Sequence, residues 1–442
     1  MAWTPAAQTK AAWRVVALFV LCQIWMVVTA TQVRVLLEQA GSSIAVTVAG
    51  AHQGYLHQAG QVTAGNHFPA STVSTPQPTN QTMTAQNMAA QDMTARRPQP
   101  VDAYLASTYT TSYDAPVFAT AFTLEWQLRA QAGNLYSEGA LLGPSFTLRS
   151  ETGIVDWRGQ RYRGGLRFIA EGDTILVINV VGLEDYLRGV VPEEMFASWP
   201  LEALKAQAIA ARTYTLSSLD ESLPYDICAT YECQSYGGIN AEHSRSNDAI
   251  QATQDIVLAH AGNLARTYYH ADSGGFTASS VEVWGEDYAY LQAQNDSGAN
   301  LTTSATTPLE TTSPHRRWQH TVNVNTVAAS LQQYNYNVGT INALNVINRS
   351  ASGRVETFEV VGSEQTVQLS GPLAHRLLRE WGFKSTKLEM ISPLTAVGDG
   401  WGHGVGMSQY GALTLANNNY GYAQILDFYY PSTYLHQLTG QQ

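Results

Sequence analysis

The chain has 442 residues, a net charge of −11 and only 13% charged residues. That length supports one large domain or two ordinary ones with a proper hydrophobic core. The acidic balance excludes the basic footprint of a nucleic-acid binder. Gly, Ser, Thr, Asn, Gln and Tyr are abundant, a polar and weakly charged composition common in exported proteins and sugar binders.

Lys10 and Arg14 precede the apolar run "VVALFVLCQIWMVVTA", residues 15–30, and no acidic residue occurs before Glu38. A basic flank followed by an apolar run reads as a signal peptide. The run is also near the minimum length for a membrane span. Residues 1–31 are therefore either a cleaved signal, with Val28 and Ala30 before the cut, or a retained anchor in the cytoplasmic membrane. Both readings put the rest of the chain outside that membrane, in the cell envelope.

Two short strands around a turn at Gly41 come next, in "QVRVLLEQAGSSIAVTVAG". They belong to an N-terminal segment, 32–68, associated with the main domain. Residues 69–108 are rich in Thr, Gln, Met and Pro, without sustained periodicity, and read as a flexible insertion. The main domain is expected over 109–432. It opens with the strand-like runs "AFTLEW", "RYRGGLRFIA" and "TILVINVV", separated by turn signals.

The pattern then turns helical. Pro200 suits a first helical turn, and Leu201, Leu204, Ala208, Ala211 and Thr215 form an apolar stripe. A further helix is expected over 247–255, leading into the strands "IVLAHAG" and "LARTYYHADS" around Gly262. Residues 301–317 read as a surface loop. Beyond it come a helix at "NTVAASLQQYN", strands at "RVETFEVVG" and "TVQLS", and a helix at "GPLAHRLLREW". After the Gly-rich turn "GDGWGHGVG", two helical stretches begin near Ser408 and Ala423. The fold class is α+β, with more strands than helices.

Several patches carry chemistry. Glu193 and Glu194 stand side by side before an aromatic-rich turn, where partial burial raises a carboxyl pKa and suits a general acid. The bland alternative is an exposed acidic pair at the entrance to a helix. A two-carboxylate glycosidase places its acids on opposite sides of the bond, roughly 5–9 Å apart. Neighbouring residues point in different directions, so at most one of these glutamates reaches a scissile bond.

"YYHADSGGFT" ends a strand in His270, Asp272 and Ser273 beside paired glycines, and "VEVWG" follows. This is either a substrate edge or a routine turn. The three residues are too close in sequence for a triad, and GxSxG is absent. "GWGHGVGMSQYGA" places His403 and Gln409 among glycines that permit positive φ or close backbone approach, without Walker or dinucleotide spacing. Cys228 and Cys233 share one loop, compatible with a disulfide, a zinc half-site or free thiols.

"VGLEDYLRGVVPEEMFASWPLEALKAQAIAARTYTL", "CQSYGG", "HADSGGFT", "VWG", "GWGHGVGMSQYGALTLA" and "ILDFYYP" occur in that order. This ordered set resembles the SpoIID/LytB family, strongly over about residues 160–430. The resemblance implies peptidoglycan lytic transglycosylase activity on glycan strands that lack stem peptides. Glu194, directly before the methionine, matches the family's catalytic glutamate, and Arg212 its helix arginine. Arg212 is then expected to pair with a substrate carboxylate or to orient the glutamate. Ser273, Gly274 and Gly275 match the family's SGG element, and His403, Gly404, Gly406 and Gln409 its glycine-rich histidine element. Tyr268, His270 and Trp284 complete the candidate substrate wall, with Trp199 and Trp401 as candidate sugar-stacking rings. The histidine that metal-binding members carry beside the cysteine loop is absent, so no metal or other cofactor is expected. The family's other branch enhances a separate cell-wall amidase, which makes an N-acetylmuramoyl-L-alanine amidase the candidate partner and noncatalytic enhancement the alternative function.

Overall fold

The structure, a computed structural model, describes residues 31–48, 52–56, 99–101, 118–120, 124–137, 139–297 and 313–438. The apolar N-terminal run, nearly all of the Thr/Gln/Met/Pro-rich segment and residues 301–312 of the expected loop lie outside the described residues. No helix among the described residues is long and apolar enough to cross a membrane.

The molecule is α+β. Its largest sheet has seven strands in the spatial order Ile227–Cys228, Gln32–Ala40, Thr174–Gly182, Gln160–Glu171, Ser145–Trp157, His52–Leu56, Phe118–Thr120. Every neighbouring pair is antiparallel except the first, where Val35 and Leu36 run parallel to Ile227 and Cys228. The two strands around Gly41 do not pair with each other. Gln32–Ala40 joins this sheet, whereas Ser43–Val48 pairs with Leu124–Gln131 in a separate four-stranded sheet. A short turn does not force a hairpin when each strand finds a longer partner elsewhere.

Strand Thr174–Gly182 is buried along nearly its whole length and runs directly into helix α1 (Leu183–Glu194). The sequence does not announce this helix, because Gly189 and Pro192 are both helix breakers. Pro192 sits in the last turn, and the helix closes at Met195, whose N–H donates to the Val191 carbonyl at 2.9 Å.

Helix α2 (Leu201–Ser217) starts directly after Pro200. The expected one-sided stripe is only part of the picture. Leu201 is exposed, yet nearly every residue from Ala203 to Ser217 is buried, including Gln207, Arg212, Thr213 and Thr215. A helix buried on all sides belongs at the centre of a core, and α2 adjoins α1, α3 (Ser244–Ala252), α7 (Gln409–Asn417) and α8 (Tyr422–Tyr429). These helices share one continuous apolar cluster with the seven-stranded sheet.

Residues 318–396 build a second core. It holds two three-stranded sheets, with α5 (Val324–Gln333) and α6 (Gly371–Glu380) packed into it. This unit is inserted between the short α4 (Ser280–Trp284) and the Gly-rich turn, both of which adjoin the first core. Across the insertion the chain returns to where it left. Tyr269 and His270 pair in parallel with Met407 and Ser408, and isolated bridges join Asp272 to Trp401 and Ala278 to Val405. The topology thereby brings the SGG element and the GWGHG element edge to edge.

Candidate active site

The glutamate pair ends α1, and its two members diverge. Glu193 is exposed and turns toward Gly237, where an added Cβ would lie 2.8 Å from its Oε1. Glu194 is half-buried. Its Oε1 accepts the Ser235 backbone N–H at 2.7 Å and its Oε2 accepts Gln409 Nε2 at 3.3 Å. Burial pushes the Glu194 carboxyl above its ordinary value of 4.5, and the nearby Glu193 charge adds to this; the Ser235 and Gln409 donors oppose it without cancelling it.

Three segments far apart in sequence therefore meet at one carboxyl. Ser235 comes from the cysteine loop. Cys228 and Cys233 are disulfide-bonded, so neither is a zinc ligand, and no group of metal-ligating side chains assembles among the described residues. Gln234 is buried and anchors the loop from below: its Nε2 donates to Thr215 Oγ1 at 2.8 Å, and its Oε1 accepts the Tyr269 hydroxyl at 2.8 Å. Gln409 opens α7 and also reaches Gln207 of α2 at 3.4 Å. No spacing along the chain marks Gln207, Gln234, Ser235 or Tyr269, because a buried amide or a backbone donor has no distinctive spacing. The "CQSYGG" element was the only available signal.

Arg212 does not join this cluster. Its side chain is fully buried and grips Glu184 through two contacts of 2.7 Å, while the Ile256 and Ile250 carbonyls accept from it at 3.2 and 3.3 Å. Glu184 lies at the other end of α1, ten residues and roughly 15 Å from Glu194 along the helix axis. In this structure Arg212 thus holds Glu184, not Glu194. It ties α1 and α2 to the segment that leads out of α3.

The other sequence candidates form two groups. Tyr268, His270, Trp284 and His403 make a ring cluster, with centroids 4.4 Å apart for Tyr268–Trp284, 5.0 Å for Trp284–His403 and 5.5 Å for His270–His403. His403 Nδ1 accepts the Val405 N–H at 3.0 Å, and His270 Nδ1 lies 3.1 Å from the Val405 carbonyl. Burial holds His403 down to about 3 and His270 well below its ordinary value, so both imidazoles are neutral at pH 7. Among the described residues neither bonds to Glu194; they shape the Gly-rich wall.

Ser273, Gly274 and Gly275 form the second group. Ser273 Oγ donates to the buried Asp296 carboxylate, and its carbonyl accepts from Arg354 at 2.8 Å. Gly274 and Gly275 both have positive φ, 71° and 90°. Across from them Gly404 (φ 88°) and Gly406 (φ 70°) allow two close approaches. An added Cβ would sit 2.4 Å from Arg354 at Gly404 and 2.0 Å from the Tyr268 carbonyl oxygen at Gly406.

An aromatic strip starts just past Glu194. Phe196 and Trp199 lie 5.7 Å apart, Trp199 and Tyr410 5.0 Å, Tyr410 and His315 5.5 Å, and His315 and Trp401 4.4 Å. Phe196 is 64% and Trp401 42% exposed, so the strip meets solvent at both ends. Arg245 of α3 donates to the Ala197 and Trp199 carbonyls, each at 2.8 Å, and fixes the turn that displays Phe196. Exposed rings held in a row supply flat apolar faces for a ligand with flat apolar faces of its own.

The fold and site together define an α+β protein with one desolvated carboxyl beside a stapled loop and an aromatic strip. Comparison with known proteins places it. Residues 171–260 match the SpoIID family, Stage II sporulation protein, and residues 278–406 match a domain of unknown function, DUF8618. An uncharacterized protein of Brachyspira hyodysenteriae is 30% identical over 276 residues, covering 62% of this chain and 71% of that protein. The amidase enhancer of Bacillus subtilis is 33% identical over 286 residues, covering 56% of this chain but only 40% of the relative. Stage II sporulation protein D of Bacillus subtilis is 29% identical over 276 residues, covering 57% and 74%. The chain belongs to the SpoIID/LytB family.

Proposed function

We propose that this protein is a peptidoglycan lytic transglycosylase acting on glycan strands that lack stem peptides. The observation that carries this reading is Glu194: a carboxyl pushed up by burial, held by Ser235 and Gln409, at the head of an exposed aromatic strip. In the proposed reaction, protonated Glu194 gives its proton to the glycosidic oxygen after N-acetylmuramic acid. The C1–O bond breaks through an oxocarbenium-like state. The Glu194 carboxylate then takes the proton of the same sugar's C6 hydroxyl, whose oxygen bonds to C1 and closes a 1,6-anhydro ring. Glu194 ends protonated, ready for another turn. One carboxyl suffices, in keeping with Glu193 facing away.

The substrate would put the protein outside the cytoplasmic membrane, held there or exported by residues 1–31. The Cys228–Cys233 disulfide agrees with an oxidising compartment. To test the reading, the protein is incubated with amidase-treated glycan strands and the products are weighed by mass spectrometry. Anhydro-muramyl ends are expected from the wild type and none from Glu194→Gln. Water-derived reducing ends, or no product, overturn it.

The amidase enhancer among the relatives favours a second reading, a noncatalytic glycan-binding enhancer of a cell-wall amidase. Glycan binding without product, together with faster turnover by an added N-acetylmuramoyl-L-alanine amidase, decides for it.

A further inference from the structure

The far end of the aromatic strip is capped by a charge. Lys384 Nζ lies 4.6 Å from the Trp401 ring centroid. Its backbone carbonyl accepts the Gly402 N–H at 2.8 Å, so Lys384 is tethered to the turn that carries Trp401. It belongs to the inserted unit, and His315, just ahead of that unit, meets the Trp401 ring edge-on.

Neighbouring cations are committed elsewhere. Arg317 pairs with Asp399 at 3.6 Å, and Lys387 donates to the Gly274 carbonyl at 2.7 Å. Among the described residues Lys384 has no carboxylate within ion-pair distance. Holding an ammonium over an exposed indole without a counter-ion suits a ligand with an apolar ring face and an anion beside it.

The geometry points to Lys384 as the residue that selects glycan by its free lactyl carboxylate, an assignment that rests on the glycan-binding reading above. A muramoyl sugar stacked on Trp401 brings its lactyl ether toward the Lys384 ammonium. That lactyl group is an anion only where no peptide is attached; with a stem peptide it is a neutral amide. A polymer of N-acetylglucosamine alone has no such anion and binds by stacking only.

Affinity for three glycans separates these terms: peptide-free strands, the same strands with their carboxylates amidated by carbodiimide and ammonia, and chitooligosaccharide. Binding is measured by calorimetry in a Glu194→Gln background, so that nothing is consumed. The parent is expected to bind the free-acid strands roughly tenfold tighter than the amidated ones, the scale of one charge-assisted hydrogen bond. Added salt narrows that gap. Lys384→Met keeps the alkyl stem on Trp401 and is expected to abolish the gap while leaving chitooligosaccharide affinity unchanged; Lys384→Arg restores it. A gap that survives in Lys384→Met overturns the assignment, as does an equal loss on all three glycans. Because binding is the readout, absence of cleavage would remove the transglycosylase reading without touching this one.

Discussion

At the scale of single residues, Glu194 and Arg212 make opposite predictions. Glu194 has a folded pKa above its ordinary value of 4.5, so the folded state binds the proton more tightly than the unfolded chain. Carrying this carboxylate therefore costs stability above the folded pKa, and the cost fades as pH falls through that pKa and is gone below 4.5. Glu194→Gln is therefore expected to eliminate anhydro product and yet raise the urea midpoint at pH 7, with the gain shrinking toward pH 4. A midpoint lowered at pH 7 would show that the carboxylate is stabilising. Arg212 is fully buried, whereas its partner Glu184 keeps about a quarter of its side chain in solvent, 27%. Removing the partner strands the buried cation, which costs roughly 3–5 kcal/mol. Removing the arginine leaves an anion that water still reaches. Glu184→Gln should thus lower the urea midpoint more than Arg212→Met, and the reverse order would count against a purely structural role for the arginine.

At the scale of elements, the glycine-rich turn derives its shape from close backbone approach. Gly406 and Gly262 share a positive φ, 70° and 81°, but a Cβ at Gly406 would sit 2.0 Å from the Tyr268 oxygen, while Gly262 has open space. Gly262→Ala bears only the left-handed backbone penalty of about 1–2 kcal/mol. Gly406→Ala must also break the parallel pairing of Tyr269 with Met407, and with it the register that delivers Gln409 to Glu194. Thermal scans should show Gly406→Ala far less stable than Gly262→Ala; equal losses would mean that the turn relaxes. Elements were legible where their periodicity was clean, as in Thr174–Gly182, Val355–Gly362 and Gly371–Glu380. Helix α1 was not, because its two breakers mask a helix that tertiary packing enforces: Leu187, Val190 and Val191 are all fully buried.

At the scale of the whole molecule, Arg354 links the two cores. It belongs to the inserted unit, is fully buried, and donates to the Ser273 and Phe276 carbonyls at 2.8 Å each. Trp318 and Lys384 of the same unit bind the Gly400 carbonyl and the Gly402 N–H, each at 2.8 Å. The inserted unit therefore clamps both glycine-rich elements rather than hanging from them. Arg354→Met removes two charge-assisted hydrogen bonds. Hydrogen exchange in residues 273–276 and 400–406 is expected to quicken while the seven-stranded sheet stays protected. Uniform quickening would mean that both cores open as one.

The sequence by itself determined the α+β class, most of the elements and the ordered motifs that single out Glu194 from its neighbour. The class and the elements rest on local spacing, which sets side-chain direction and turn geometry, whereas Glu194 is singled out by the resemblance of the ordered motifs to a family. Only the tertiary structure decided what those residues touch. It paired Gln409 with Glu194 across 215 positions, turned Arg212 toward Glu184, closed the cysteines into a disulfide and seated Lys384 on Trp401. Such contacts depend on where sheets and helices pack against one another, and no spacing along the chain carries that information.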